Sequence, residues 1–227
     1  MLHKTQLQIL ESLLFLQEAR FQELNIKQMP TDQFNFHIKQ LRKLGYIQVE
    51  NRAYSLTDLG KDFAGRIDTK SHRYTIQPKI GVCLFVFQKI GNEKLILLGK
   101  RLKDQSKGLW GPFSEKVHIY EPIENTIVRC LTTETGLTPL SWDFAGVHRY
   151  MSSSVDVILQ CFLVTHYSGQ LLSVTSESEN SWIPLSKIGE MNTFLGLTEI
   201  LENIETSEKF FFEVTSLALD QTPAQDQ

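Results

Sequence analysis

The stretch that decides the reading of this 227-residue chain runs Gly108-Leu109-Trp110-Gly111-Pro112-Phe113-Ser114-Glu115-Lys116-Val117-His118-Ile119-Tyr120-Glu121-Pro122, then Ile123-Glu124-Asn125-Thr126-Ile127-Val128-Arg129-Cys130-Leu131-Thr132-Thr133-Glu134-Thr135, and closes on Gly136-Leu137. Residues 122–135 read as one helix, with Pro122 suited to the first turn and Gly136 to the left-handed position past the end. Strand patterns flank it. Upstream, residues 80–87 are an apolar run, Gly91-Asn92 offers a turn and residues 95–98 return. Downstream, residues 143–150 and 155–165 read as strands, Trp182-Ile183-Pro184-Leu185 is a short apolar segment and residues 194–204 form a last helix. The expected domain spans residues 78–207, followed by a partly disordered tail at 208–227 that is polar after Ser216.

Residues 1–66 follow a different period. Leu7, Leu10, Leu14 and Phe21 fall at helical spacing, and Phe34, Ile38, Leu41 and Leu44 repeat it, with Thr31 as N-cap and Gly45 as stop. Residues 46–50 alternate as a strand, Asn51-Arg52 makes a tight turn into Ala53-Tyr54-Ser55-Leu56, and Thr57 caps a helix through Phe63. Residues 67–77 are polar without a period and read as a linker.

Composition narrows the function classes. Apolar residues make up 41% and charged residues 22%, which suits a folded chain. A formal net charge of −3 excludes a basic field over the whole molecule and leaves room for a local basic patch. Apolar runs are too short to span a membrane and the first residues do not read as a signal peptide, so a cytoplasmic protein is expected. Cys83, Cys130 and Cys161 are odd in number and far apart, which fits neither a disulfide framework nor a zinc ribbon.

The 115–137 stretch resembles the Nudix box, G-x5-E-x7-R-E-U-x-E-E-x-G-U with U apolar. Glu121, Arg129, Leu131, Glu134, Gly136 and Leu137 fill their places, and Leu97-Leu98-Gly99-Lys100-Arg101 is similar to the strand that leads toward the box. The resemblance implies the Nudix fold, an α/β/α arrangement with a mixed sheet and a nucleotide pocket over the motif helix. Three glutamates on one helix face would there hold divalent cations that activate water against a diphosphate. Three positions depart: Glu115 replaces the motif glycine, Cys130 the Glu after the Arg, and Thr133 the first of the Glu pair. One carboxylate, Glu134, remains at the ligand positions, and a thiol and a hydroxyl are poor ligands for Mg²⁺. If the domain is active, the resemblance assigns Glu134 and Glu121 to catalysis and Mg²⁺ as cofactor, with Glu121, Glu177 and Glu179 as further carboxylates. Lys100, Arg101, Trp110, Phe113 and Arg129 are candidate ligand contacts, as are His148 and Tyr150.

The first 66 residues resemble winged helix-turn-helix domains, mainly helical with a β wing, through Phe34-x-x-His37-Ile38-x-x-Leu41-x-x-x-Gly45 and Tyr54-x-Leu56-Thr57-x-x-Gly60. A recognition helix buries one stripe and offers the other to the major groove. Gln33, Asn35, Phe36, Lys39, Gln40 and Lys43 point outward in that reading. Asn and Gln can read adenine edges, while Lys39, Lys43 and wing Arg52 can meet phosphates. Residues 1–68 hold nine Lys/Arg and eight Asp/Glu, a net of +1. His37, beside apolar residues, reads as structural.

The α+β, two-module organisation yields three functional expectations. The first is a transcription regulator that binds duplex DNA as a homodimer and senses a nucleotide-like small molecule through a degenerate Nudix domain. The second is an active Nudix hydrolase that cleaves a nucleoside diphosphate derivative with non-standard metal ligands. The third is a protein-interaction scaffold.

Overall fold

In the computed structural model, which describes residues 2–25, 27–103, 106–206 and 210–216, the chain divides into two units, Met1–Gln77 and Pro78–Gln227. The first unit runs α1 (Lys4–Leu16), β1 (Glu18–Arg20), α2 (Phe21–Leu24), α3 (Thr31–Lys43), β2 (Ile47–Glu50), β3 (Ala53–Leu56), α4 (Asp58–Ala64), β4 (Ile67–Asp68) and β5 (Arg73–Tyr74). Phe34, Ile38 and Leu41 are buried against Ile9, Leu10 and Leu13 of α1. Burial of this kind contributes about 1.5–3 kcal/mol per large aliphatic or aromatic side chain. Leu44, expected on the same stripe, is 46% exposed. The helix ends at Lys43 and the chain turns at Gly45 (φ +76°), so the fourth stripe position no longer faces the core. His37 is buried instead and stacks on His3 at 4.7 Å. Thr31 is the first helical residue rather than the cap, and Pro30 takes the cap position with no side-chain bond.

The wing forms as read. Asn51 and Arg52 both adopt positive φ, which gives a two-residue turn whose twist matches its strands. The sequence shows no sign of β1, which adds a third strand in the order β1-β3-β2. Thr57 caps α4 by accepting from the Gly60 N–H at 3.0 Å. Gly60 allows α4 to pass against the wing's base, where an added Cβ would collide with the Tyr46 carbonyl. The Leu-Thr-x-x-Gly pattern therefore encodes one cap and one close approach. Residues 67–77, expected as a linker, carry the β4–β5 hairpin. Ile67 is buried in the first core, and His72 Nδ1 lies 2.7 Å from Glu11 Oε2 on α1. One buried apolar residue in a polar segment suffices to fasten it.

The second unit continues with β6 (Lys79–Ile90), β7 (Glu93–Arg101), β8 (Trp110–Gly111), β9 (Phe113–Lys116), α5 (Ile123–Thr135), β10 (Leu137–Met151), β11 (Asp156–Gly169), β12 (Ser178–Pro184), a 3₁₀ turn (Leu185–Glu190), α6 (Leu197–Thr206) and β13 (Phe211–Ser216). Six strands lie in the order β12-β7-β6-β11-β10-β13, with β8 paired to β7 and β9 to β6. The β6–β11 and β10–β13 pairs are parallel and the others antiparallel, so the sheet is mixed. Strand alternation divides the core. Val82, Leu84, Leu97 and Phe162 face α5, while Cys83, Phe85, Leu98 and Cys161 face α6. Segment 182–185, expected only as apolar, is mostly strand. The tail expected from residue 208 includes β13, because Phe211 is buried beneath the sheet with α6. Residues 217–227 lie outside the described residues. No helix among the described residues is long and apolar enough to cross a membrane.

Candidate functional site

The motif helix is held at both ends. Gly136 ends α5 at φ +75°, and a Cβ there would strike the Gln170 carbonyl and Leu172. At the other end, Arg129 braces the preceding loop. Its Nε donates to Glu121 Oε1 and its Nη2 to Glu121 Oε2, both at 2.9 Å. Nη2 also donates to the Lys116 carbonyl at 2.8 Å, and Nη1 lies 3.2 Å from Glu115 Oε2. The His118 N–H adds a bond to Glu121 at 3.0 Å. These Arg129 bonds first, then the His118 N–H, hold the Glu121 carboxyl down to about 2, and Glu121 in return raises the Arg129 guanidinium. The brace presents Tyr120, fully exposed and at φ +65°, at the tip of the loop.

Arg129 thereby leaves the candidate ligand contacts. Four of its five N–H directions are used inside the brace, so it has little to offer a phosphate. Glu115, in the motif glycine's place, supplies the brace with a second carboxylate. Glu121 is likewise committed to the brace.

Along α5, Cys130 is fully buried, Thr133 is exposed and Glu134 is buried with Oε2 lacking any partner. Burial is the chief cause that raises the Glu134 carboxyl. Arg101 and Lys103 oppose the shift, and Glu177 and Glu115 add to it. Burial also pushes the Cys130 thiol well up, which excludes a ready thiolate. The Glu134 backbone carbonyl is fixed by Asn180 Nδ2 at 2.7 Å, and Asn180 in turn accepts from Ser178 Oγ.

Strand alternation separates residues that the sequence groups together. Arg101 shares the α5 side of β7 with Leu97, while Lys100 pairs across the sheet with Trp110 and Glu179 on the α6 side. Phe113 is fully buried under α5 and not free to stack on a base, while Trp110 packs half-buried against the α6 core. His148 bonds Thr215 Oγ1 at 3.0 Å, beneath β13 and away from α5, and Tyr150 lies on the same face. Of the two loop carboxylates, Glu179 meets Lys100 at 3.8 Å on the wrong face and Glu177 is held by Lys103 at 2.7 Å. Arg101, Lys103, Glu134 and Glu177 remain as the polar group around the helix. Sequence reasoning missed Lys103, although it continues the basic run from Lys100. It also missed Phe194, whose ring lies 5.9 Å from the Arg101 guanidinium.

The donor set does not suit Mg²⁺. Among the described residues no group of three or more His, Cys, Asp or Glu could hold a metal ion. Glu134 and Glu177 are matched by Arg101 and Lys103, so the group has no surplus of negative charge to hold a divalent cation, and burial raises the Glu134 carboxyl.

In the first unit, Gln33, Phe36, Lys39, Arg42, Lys43 and Arg52 are exposed and Asn35 is half-buried. A groove of about 550 Å³ runs between α3 and β2, lined by Lys39, Arg42, Lys43, Ile47, Gln48 and Val49. Among the described residues no carboxylate pairs with its three cations. Arg42 and Gln48 were not singled out from the sequence, since only the wing's fold brings β2 alongside the helix.

The NUDIX domain family profile matches residues 77–203. No curated protein matches the sequence closely enough to count as a relative. Three solved structures share the fold. The NUDIX domain of Shewanella oneidensis NrtR complexed with ADP ribose is 18% identical, with a TM-score of 0.53 over 66% of this chain and 97% of that one. A MutT NUDIX hydrolase from Burkholderia pseudomallei is 22% identical, with a TM-score of 0.50 over 56% and 98%. A MutT protein from Bacillus halodurans is 19% identical, with a TM-score of 0.52 over 62% and 90%.

Proposed function

The chain belongs to the NUDIX domain family, and from that premise we propose that it is a DNA-binding regulator whose Nudix domain binds a nucleotide-like ligand without hydrolysing it. The observation that carries this reading is the state of the motif helix. Cys130 and Thr133 occupy two of the three metal-binding positions, and Glu121 is bound up in the Arg129 brace. Among the described residues no carboxylates cluster as a platform for metal-activated water. Arg101 supplies positive charge beside the helix, and a phosphate would displace Glu177 from Lys103. That combination suits a phosphorylated sugar or nucleotide. The Shewanella oneidensis domain of the same fold was crystallised with ADP ribose, which makes this compound the first probe.

The first unit supplies the output. Lys39, Arg42, Lys43 and Arg52 would meet phosphates while Gln33, Asn35 and Phe36 face the groove floor, and a homodimer would present two such surfaces to one operator. Selection from a random duplex library at low salt, followed by gel shift with and without ADP ribose in EDTA, tests both halves. Enrichment of a sequence whose affinity changes with ADP ribose supports the reading. No enrichment and no shift on bulk DNA would overturn the DNA-binding half. Turnover that disappears in Glu134→Gln would overturn the ligand half in favour of a hydrolase, a reading for which the unpartnered Glu134 oxygen is the supporting observation.

A further inference from the structure

The α5 side of the sheet is only partly covered. At about 1.5 Å per residue, the 13 residues of α5 span about 20 Å. They shield the lower ends of β6, β9 and β11, leaving a second area bare toward the β10–β13 edge. Strand register defines that area. Val214 lies beside Arg149, Ile158 and Ile80 in one row, and Phe212 lies beside Val147 and Gln160 in the next. Phe210 and Phe162 close the area against Phe144, at 5.2 and 5.6 Å. Phe210 and Phe212 are each 69% exposed, Ile80 54%, Val214 43% and Phe144 39%.

We infer that this face, centred on Phe212 and Val214, is the surface on which a second copy of the chain packs. Three features point to that occupant. The first is size. These five side chains present about 500 Å² of apolar surface, taking about 200 Å² for a whole Phe. A stable dimer buries about 800 Å² per partner, of which about 450–500 Å² is apolar. The second is charge. The charged residue within the rows is Arg149, and Asp156 neutralises it bidentately at 2.9 and 3.1 Å, so two identical faces meet without like-charge repulsion. The third is shape. A two-fold contact sets the same patch of both copies face to face, and sheet-on-sheet packing at about 10 Å lets Phe side chains from both copies interleave. The inference gives a location to the homodimer in the regulator reading, and it stands on the patch alone.

Sedimentation velocity of the full chain at tens of micromolar tests it. The expected species has twice the 26.1 kDa chain mass. Phe212→Glu and Val214→Lys should each weaken the dimer by about a hundredfold, as for a central interface residue. Both positions are exposed, so circular dichroism should stay unchanged, while melting should fall only as far as the lost association accounts for. Trapping gives a reading independent of affinity. All three native cysteines are buried, so a Phe212→Cys chain treated with diamide should form a covalent dimer, while Leu172→Cys should not. A monomeric wild-type chain overturns the inference. So does a dimer that resists Phe212→Glu and yields no Phe212→Cys cross-link. A monomer that dimerises after removal of residues 217–227 also overturns it, since the chain's own end then covers the patch. A dimer without DNA affinity would sink the regulator reading and leave this inference standing.

Discussion

Replacing Lys39, Arg42 and Lys43 together by Ala tests the basic groove most directly. The three side chains line one groove, are exposed and have no carboxylate partner among the described residues. Their removal should therefore leave the fold intact, with a stability change within about 0.5 kcal/mol. If each cation neutralises one phosphate, each contributes about 0.9 to the slope of log K against log salt, so the triple variant loses about 2.7 per protomer. Between 50 and 200 mM salt, these contacts should weaken wild-type binding about 40-fold per protomer, or about 2,000-fold for a dimer with both faces engaged. The variant should lack that fall. Fluorescence anisotropy of a labelled duplex across this salt range measures both slopes. The loss should be the same on every duplex, because phosphate contacts carry no sequence information. Equal slopes for wild type and variant would refute the reasoning, and so would a loss confined to one sequence.

Glu134→Gln should leave phosphate release from nucleoside triphosphates and dinucleotide diphosphates in Mg²⁺ unchanged at background, measured by a colorimetric phosphate assay coupled to a phosphatase. Burial, and then the neighbouring His3, lowers the His37 imidazole, so its neutral form is favoured in the fold. The stability it contributes is complete above the unfolded histidine value of about 6.5 and declines as pH falls below it. Urea melts at pH 8 and pH 5 should show that decline, and His37→Phe should reduce it. Gly60→Ala drives a Cβ into the Tyr46 carbonyl, so the first unit should lose about 1–3 kcal/mol, read as a lower urea midpoint. Arg129→Met should free the Glu121 carboxyl, returning it from about 2 toward the ordinary range, as measured by NMR titration.

The α5 helix, its glycine stop, the wing turn and the Leu-Thr-x-x-Gly cap were legible in the sequence because each rests on local rules. Periodicity, a left-handed glycine and a side-chain cap involve residues within a turn or two of one another. Cys130 and Thr133 could likewise be recognised as poor metal ligands, since the resemblance to the Nudix box puts them, three residues apart on one helix, at its ligand positions. Long-range contacts were beyond the sequence. Lys100 and Arg101 are adjacent in the chain, yet strand alternation sends them to opposite faces of the sheet, and Glu179 goes with Lys100. Arg129 reads as a free cation until the loop folds back and brings Glu115 and Glu121 to its guanidinium. The β13 strand was not read in the tail because its partner, β10, ends sixty residues earlier in the chain. Sequence fixes which side chains are available. Packing decides which of them are spent on one another and which stay unpaired, as the Glu134 Oε2 does, or exposed, as Phe212 does.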